Sequence, residues 1–483
     1  MELELAADAE AVAGLSRLKA LSASRNGRPR TQSVKIVWHD SPERALLAEG
    51  LTLAEQRGTH RLERVFPNAE TWLPGQPVPV LANPEALPAP MAALAAFEGR
   101  QTTSVHRFGD EAVTITVAKG ILRAVTAEQP AARIWLSGEA RAVRTAAELI
   151  AGAGWVAVPV ACLAAEGIAL ATGRPAAARH TGAPALPAGP LSVTDAIVHI
   201  LGHLVDVILA NAPVAILENG EGPEAVHQMR VAVRRARSAL SIFQRAMPGG
   251  MLDGIGESLK DLGSRLGPTR DWDVFAEETA PAIQKALPND ERLERLIVAA
   301  SRRRLACQKT LAAYLGSAAF RMLGIELAWF LAADFWHPPK DVPEDAAAPA
   351  QTLTDFAGSV LQHRWKKLLS SGKRIDELDI PSLHGVRLRA KRARYAAEMF
   401  STLHHPKAAH RFIRRLGALQ ERLGVLNDGA VATHLLAELG GPSGRHAYAA
   451  GIVVGFLAGR AAKIRPRIVR AFEKFRRQPV FWG

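Results

Sequence analysis

The sequence VHQMRVAVRRARSALSIF at residues 226–243 reappears in altered form as LHGVRLRAKRARYAAEMF at residues 383–400, an offset of 157 residues. The same offset aligns LGPTRD, which ends at Asp271, with LGVLND, which ends at Asp428, without a gap. Self-similarity at a fixed spacing is the signature of a duplicated structural unit. The sequence therefore predicts two divergent copies of one helical unit, related by a pseudo-twofold axis.

Both stretches have the periodicity of an amphipathic helix with one apolar and one basic face. On a wheel of about 100° per residue, Arg230, Arg234 and Arg237 lie within about 80° of His227, and Arg235 flanks this face. The corresponding basic residues of the second copy are His384, Arg387, Lys391 and Arg394, flanked by Arg392. Pro223 and Pro381 stand just upstream, as prolines that start helices do.

Like charges three or four residues apart destabilise an isolated helix by roughly 0.2–0.5 kcal/mol per pair, so something must offset their repulsion. Asp271 and Asp428 are predicted to do so as structural braces, and an anionic ligand would do so better, because the planar guanidinium group suits bidentate contacts with phosphate. A histidine on this face would strengthen anion binding as the pH falls through about 6.5. The alternative is that both faces are simply solvated.

Other basic residues are candidates to extend the predicted anion site. We select Arg364 and Lys367, because they precede the second basic helix closely enough to pack antiparallel beside it. Most of the remaining clusters are expected to be solvated: Arg302 to Arg304; Arg411, Arg414 and Arg415; and Lys463, Arg465, Arg467 and Arg470.

The charge of the chain is concentrated in its second part. The net charge is +13, and residues 1–192 contain 19 Lys and Arg against 18 Asp and Glu, whereas the remainder contains 41 against 29. A partner with dense negative charge is implied for that part: a nucleic acid, an anionic membrane surface or a phosphate polymer.

Composition also separates the chain into parts. Residues 171–191 are rich in Pro, Gly and Ala and are predicted to be a linker. Before them, short β-like segments and one helical pattern at residues 141–151 predict an α+β domain over residues 1–170. After them, long apolar periodicity predicts an all-α domain over residues 192–483, with the two copies at about 192–345 and 346–483.

The remaining composition favours a soluble, cytoplasmic protein. With 48% apolar and 22% charged residues, the chain can bury ordinary cores. Cys162 and Cys307 are too few for a disulfide framework or a four-cysteine zinc site. The apolar stretches at 155–165 and 447–459 are shorter than the about 20 residues that span a bilayer, so no membrane association is expected.

The segment from Leu191 to Gly483 resembles a CHAD domain, a histidine-containing α-helical domain built from two repeats. The resemblance is carried by the two basic stretches and by LGPTRDWDVF and LGVLNDGAVA. It implies two pseudo-twofold-related four-helix bundles and a basic channel that binds long-chain inorganic polyphosphate. It also implies an association with polyphosphate granules.

The first 150 or so residues resemble a degenerate CYTH domain, a triphosphate-tunnel β-barrel. The similar segments are MELELAADAEAVAGL, IVWHDSPERALLAEGLTL and ARIWLSGEARAVRTAAELI. Ala6 stands where the family has lysine, Ser41 replaces threonine, and residues 132–136 contain no acid. We therefore expect Glu2 and Glu4 to be remnants, the protein to bind neither metal nor cofactor, and catalysis to be absent.

Three other functions stay open. Nucleic-acid binding is compatible with the charge, but aromatic residues make up 6% of the chain and Tyr395 is the one aromatic available on the basic faces. An enzyme would process triphosphate in the N-terminal domain or cut the polymer in the helical one. A scaffold would recruit a protein partner through the N-terminal domain.

Overall fold

The computed structural model divides the chain into two compact units, which we call the sheet unit and the helical unit. The sheet unit comprises residues 1–177, 201–214 and 314–342, and the helical unit comprises residues 178–200, 215–313 and 343–483. The described residues are all except 16, 66–89, 173–176, 183, 185, 187–190, 218–219, 245, 248–251 and 333–351.

The described residues of the sheet unit form an antiparallel sheet of eight strands with helices packed against it. The strands are β1 (Glu2–Ala7), β2 (Arg25–Asp40), β3 (Leu51–Gln56), β4 (Thr59–Arg64), β5 (Ala92–Phe108), β6 (Glu111–Ala124), β7 (Glu128–Gly138) and β8 (Val156–Ala157). The helices before the predicted linker are α1 (Ala9–Leu15), α2 (Lys19–Ser24), α3 (Ala45–Ala48), α4 (Ala140–Ala153) and α5 (Leu163–Thr172). The helical pattern predicted at 141–151 is thus confirmed as α4.

The strand order is β4-β3-β2-β5-β6-β7-β1-β8, so β1 lies between β7 and β8. Leu3 and Leu5 alternate with Glu2 and Glu4 along β1, and both leucines are buried. This period of two places the leucines in a core and the glutamates on the opposite face. An α+β N-terminal part is confirmed, whereas its closure into a barrel stays a prediction.

Two paired glycines allow β5 and β6 to come close together. Gly99 lies opposite Gly120 in the antiparallel register. A Cβ atom on Gly99 would overlap the carbonyl oxygen of Lys119, and one on Gly120 would overlap that of Glu98. Because both obstacles are backbone atoms, no rotamer change relieves the overlap.

The remaining helices continue along the chain from α6 (Val193–Ala215), which contributes to both units. They are α7 (Gly222–Phe243), α8 (Asp253–Val274), α9 (Ala280–Ala286), α10 (Glu291–Leu315), α11 (Ala318–Ala332), α12 (Leu353–Ser371), α13 (Ile380–Met399), α14 (Pro406–Glu438) and α15 (Ala447–Arg476). A π-helical turn at Phe275–Thr279 joins α8 to α9. A helical second part is therefore confirmed, and the arrangement of each copy as a four-helix bundle stays a prediction.

Both predicted basic helices form, and equivalent residues of the two copies meet. Pro223 starts α7 and Pro381 starts α13, where the Asp379 carboxylate also accepts a hydrogen bond from the Ser382 amide. The rings of Phe243 and its equivalent Phe400 lie 6.1 Å apart. Their contact packs the C-terminal end of α7 against that of α13 and buries apolar surface.

Part of the predicted linker packs on α7. Thr181 is 1% exposed, its amide donates to Oε1 of Gln228, and its hydroxyl donates to the Gln228 carbonyl oxygen. The first two residues of the predicted linker, 171 and 172, belong to α5. Much of the rest, and the predicted boundary between the copies at 345/346, lie outside the described residues.

Within the described ranges, two helices, α6 and α15, are long and apolar enough to cross a membrane by length and composition alone, and α10 with α11, bent by 57°, would be a third if the pair formed one span. About 61% of the apolar window of α6 is buried within the protein, against 22% for α15. The sequence analysis did not single out α6, whose apolar residues are interrupted by His199, His203 and Asp206. Burial of α6 provides a reason for its composition, and solubility stays a prediction.

Replacement of Gly120 by alanine is expected to destabilise the sheet unit by about 1–3 kcal/mol, because the new methyl group must displace the backbone of β5. Chemical denaturation followed by circular dichroism measures this change. Gly152→Ala in α4 is the matched control, because a Cβ there meets nothing within 4 Å and alanine favours helix. Equal stability of both variants would refute the close approach.

Candidate anion-binding site

One cavity, which we call the repeat pocket, brings equivalent residues of the two copies together. It has a volume of about 250 Å³. Its ionisable lining consists of the equivalent pairs Arg230 and Arg387, Arg234 and Lys391, and Asp271 and Asp428, together with His227 and Arg270. Seven of these eight residues were selected from the sequence, and they come from α7, α8, α13 and α14.

The apolar faces of the helices determine which side chains enter the repeat pocket. Met229, Ala232 and Val233 of α7 are buried, as are Val386 and Ala390 of α13. Because these faces pack into the interior, the basic faces are fixed on the other side. The apolar periodicity of each helix therefore predicts which of its cations line the repeat pocket.

Arg270 is the residue of the repeat pocket that the sequence analysis missed. It directly precedes Asp271 in LGPTRD, but its equivalent in the second copy is Asn427, so a search for shared cations does not find it. Its guanidinium lies 3.7 Å from Glu278, which is too long for a strong ion pair. Arg270 therefore adds positive charge to the pocket.

Asp271 is placed as the predicted brace. Its Oδ1 lies 3.2 Å from Nη2 of Arg230. Burial raises the pKa of Asp271 and that of Asp428, while Arg230 opposes the rise at the first and Arg387 at the second. Each carboxylate thus partly compensates the cation of its own copy.

The cations of the repeat pocket exceed what the two carboxylates neutralise. Burial, followed by repulsion from Arg387, Arg234 and Arg230, lowers the pKa of Lys391 to about 7. Burial also lowers the pKa of Arg230 and of Arg387. The Nε atoms of Arg234 and Arg387 are buried and have no hydrogen-bond partner among the described residues. Burying donors without partners costs free energy, which adds to the cost of gathering these cations.

His227 lines the repeat pocket, but its ionisation differs from the expectation. Burial, followed by repulsion from Arg270, lowers its pKa below 6.5. His227 is therefore neutral near pH 7, and any gain of charge in acid begins at lower pH. Its equivalent His384 is exposed and does not line this pocket.

Arg235 and Arg394 lie away from the repeat pocket and share one carboxylate. Nη2 of Arg235 lies 2.7 Å from Oε2 of Glu398, and Nε of Arg394 lies 2.7 Å from Oε1. Glu398 is 7% exposed. The carboxylate links α7 to α13 in a buried ion-pair network. Arg237, also a sequence candidate, is exposed and lines neither this network nor the repeat pocket.

The other candidates line a second cavity, which we call the side pocket. Its volume is about 330 Å³, and its cations are Arg364, Lys367, Arg389 and Arg392. Nη2 of Arg364 lies 3.4 Å from the hydroxyl of Ser241. At an offset of 157 residues, Arg392 corresponds to Arg235 and Ser241 corresponds to Glu398. The side pocket therefore has a serine at the position that is equivalent to the bridging carboxylate. Ser241 thus supplies no counter-charge to Arg392 of the kind that Glu398 supplies to Arg235.

In the sheet unit, Glu2 and Glu4 line a cavity of about 720 Å³. The lining also includes the amide side chains Gln32, Gln56 and Gln101. Glu4 is occupied by the buried Arg133, whose Nε lies 3.1 Å from Oε1, and burial raises the pKa of Glu4. Across the described ranges, no group of three or more His, Cys, Asp and Glu side chains is placed to hold a metal ion.

Glu398→Ala is expected to lower the free energy of unfolding by about 3 kcal/mol, because Arg235 and Arg394 would stay partly buried without a counter-charge. Urea denaturation measures the loss. Glu421→Ala removes an exposed glutamate from α14 as a control and should change stability by less than about 0.5 kcal/mol. Similar small effects of both substitutions would contradict the bridging role.

Comparisons with known proteins identify the family of the helical part. Residues 199–437 match the CHAD domain model. The crystal structure of the CHAD domain from the plant Ricinus communis is similar with 29% identity and a TM-score of 0.53, over 63% of this chain and 98% of that one. PptA from Streptomyces chartreusis aligns over 59% of this chain and 100% of that one, with 18% identity and a TM-score of 0.44.

No curated protein matches the chain. The family match spans both basic helices and both LG…D segments, the residues on which the resemblance in the sequence rests. Residues 199–437 therefore form a CHAD domain, and the protein is a CHAD-domain protein.

Proposed function

We propose that this protein binds long-chain inorganic polyphosphate, without turning it over, through the repeat pocket. The observation that carries the proposal is the meeting of Arg230, Arg234, Arg387 and Lys391 in one cavity. These residues are two pairs of equivalents from the two copies, so the duplication builds one site from two half-sites. Membership of the CHAD family supports the same ligand class.

The chemistry of the pocket favours phosphate over other anions. Guanidinium groups offer parallel N–H donors that match two oxygens of one phosphate. A chain with a charge on every unit neutralises several cations at once. Binding by such contacts is accompanied by release of counterions.

The side pocket extends the proposed site. Arg387 and Lys391 lie about 40° apart on α13, whereas Arg389 and Arg392 lie on the other side of the same helix. The first pair lines the repeat pocket and the second the side pocket. A long polymer, unlike a short one, can contact cations on both sides of α13. We therefore propose that Arg364 and Lys367 contribute to binding of long chains.

For the sheet unit we propose a degenerate CYTH-like barrel that acts as a docking surface for another protein, in a cytoplasmic protein associated with polyphosphate granules. The glutamine-rich lining of its cavity and the Arg133–Glu4 ion pair support loss of the triphosphate chemistry. Release of phosphate in the presence of Mg²⁺ or Mn²⁺ that disappears when Glu2 and Glu4 are changed to alanine would contradict this proposal.

Nucleic-acid binding is the alternative that the same charge supports. Single-strand binders stack bases on exposed aromatic rings. Here Tyr395 is partly buried, with the Arg235 guanidinium 5.8 Å from its ring centre. We expect long polyphosphate to displace RNA far better than RNA displaces polyphosphate.

The double variant Arg234→Ala/Lys391→Ala is expected to weaken binding of long polyphosphate at least tenfold, since two charge-assisted contacts are lost. Calorimetric titration at two salt concentrations measures the affinity, and its dependence on salt should be shallower than that of the wild type. Arg302→Ala/Lys309→Ala removes the same charge from the exposed surface of α10 as a control. Equal binding by both double variants would exclude the repeat pocket.

Binding is also expected to weaken as the pH rises above about 7. The pKa of Lys391 in the free protein is about 7, and a bound anion raises it, so above pH 7 binding must take up a proton. Below pH 7 Lys391 is charged in both states and contributes no dependence. Titrations in buffers of different ionisation enthalpy measure the uptake.

Lys391→Arg provides the control, because arginine keeps its charge throughout this range. This variant should bind polyphosphate with little change between pH 7 and pH 9. A pH dependence that persists in Lys391→Arg would assign the effect to another group.

A further inference from the structure

A third cavity in the helical unit lies between α14 and α15, and we call it the basic groove. Its volume is about 560 Å³, larger than that of the repeat pocket. Its charged lining is Arg414, Arg415, Arg422, Arg467, Arg470 and Lys474. The sequence analysis assigned Arg414, Arg415, Arg467 and Arg470 to solvated surfaces, whereas the structure gathers them around one concave site.

Alanine residues open the groove between the two rows of cations. Ala418 lies one turn from Arg414 and from Arg422 on α14, and Ala471 lies one turn from Arg467 on α15. The small side chains leave space where a longer residue would fill the cleft. The cations from Arg414 to Arg422 extend over about 12 Å of helix.

The cations of the basic groove lack counter-charges. No carboxylate lines it, and within the described part of the chain none of its six cations makes an ion pair within 4.0 Å. Arg415 and Arg422 contact neutral oxygens, those of the Gln478 side chain and the Ala418 carbonyl. On α15 the neighbouring Glu473 is engaged by Arg476 at 2.7 Å. The groove thus differs from the repeat pocket, where two aspartates compensate part of the charge.

Comparison with the first copy shows that the positive charge of the α14 side of the basic groove is specific to the second copy. At the offset of 157 residues, Arg414, Arg415 and Ala418 correspond to Glu257, Ser258 and Asp261, whereas Arg422 corresponds to another arginine, Arg265. In the first copy Nε of Arg265 lies 2.8 Å from Oδ2 of Asp261.

The second copy thus has the arginine, Arg422, without the acid that pairs with Arg265 in the first copy. Two further cations, Arg414 and Arg415, are added on the same face of α14, at positions that the first copy fills with an acid and a neutral residue. A solvated helix face needs no such change, because alternating charges keep it soluble.

We propose that the basic groove binds a compact anion with several phosphate groups, at a site separate from the repeat pocket. Clustered guanidinium groups without carboxylates favour ligands that present many oxygens within a short distance. A site about 12 Å long and concave suits a short polyphosphate or a multiply phosphorylated headgroup better than a single phosphate ion. The site is independent of the function proposed for the repeat pocket.

Calorimetric titration of the full chain with sodium tripolyphosphate tests the proposal. The background is Arg234→Ala/Lys391→Ala, so that the repeat pocket contributes little. In this background Arg467→Ala/Arg470→Ala is expected to weaken binding at least tenfold. Arg302→Ala/Lys309→Ala, with the same loss of charge on α10, should leave the affinity within about twofold.

A second variant tests the groove without removing any arginine. Ala418→Asp restores the acid of the first copy one turn from Arg422 and occupies the floor of the groove. It is expected to weaken tripolyphosphate binding at least tenfold as well. Circular dichroism confirms that each variant keeps its helix content.

Unchanged affinity in both groove variants, or no binding of tripolyphosphate in this background, would overturn the proposal. Failure of the repeat-pocket variant to affect long polyphosphate would instead concern the proposed function alone. Sedimentation with phosphatidylcholine vesicles containing a phosphoinositide distinguishes the source of the phosphates. Groove-dependent binding to vesicles assigns a lipid headgroup, and groove-dependent binding to tripolyphosphate alone assigns a soluble ligand.

Discussion

Repulsion between the basic faces of α7 and α13 is the interaction that the rest of the helical unit must compensate. Packing of the apolar faces forces Arg230, Arg234, Arg387 and Lys391 into one partly buried cavity, where water screens them poorly. The unit tolerates this arrangement in two ways: the aspartates at the ends of the LG…D segments oppose part of the charge, and Lys391 has a pKa lowered to about 7. Both compensations are incomplete, which leaves net positive charge in the cavity.

Divergence between the two copies produces further sites. Glu398 forms ion pairs with both Arg235 and Arg394, whereas its equivalent Ser241 lines the side pocket together with Arg392. Likewise Asp261 of the first copy is replaced by Ala418 in the second. In both cases an arginine is present at equivalent positions of the two copies, whereas the acid that pairs with it is present at one of two equivalent positions. Differences at single carboxylates thus leave positive charge at different places in the two copies.

The sheet unit differs from the helical unit in how the charged groups of its cavity are paired. Glu2 and Glu4 line its cavity, but amide side chains make up much of the polar lining, and Arg133 forms ion pairs with Glu4 and Glu166. Charges that pair with each other inside a protein are not available to a ligand. The two units therefore differ in the charge left over after internal pairing.

The sequence by itself determined the duplication, the two basic helices and seven of the eight ionisable residues that line the repeat pocket, because helical periodicity fixes which residues share a face. Tertiary structure alone decided how those residues are distributed. It separated Arg364, Lys367 and Arg392 into the side pocket, assigned Arg235 and Arg394 to Glu398, and brought Arg270 into the repeat pocket. Periodicity describes one helix at a time, whereas ion pairing and burial depend on which neighbouring helix packs against each face.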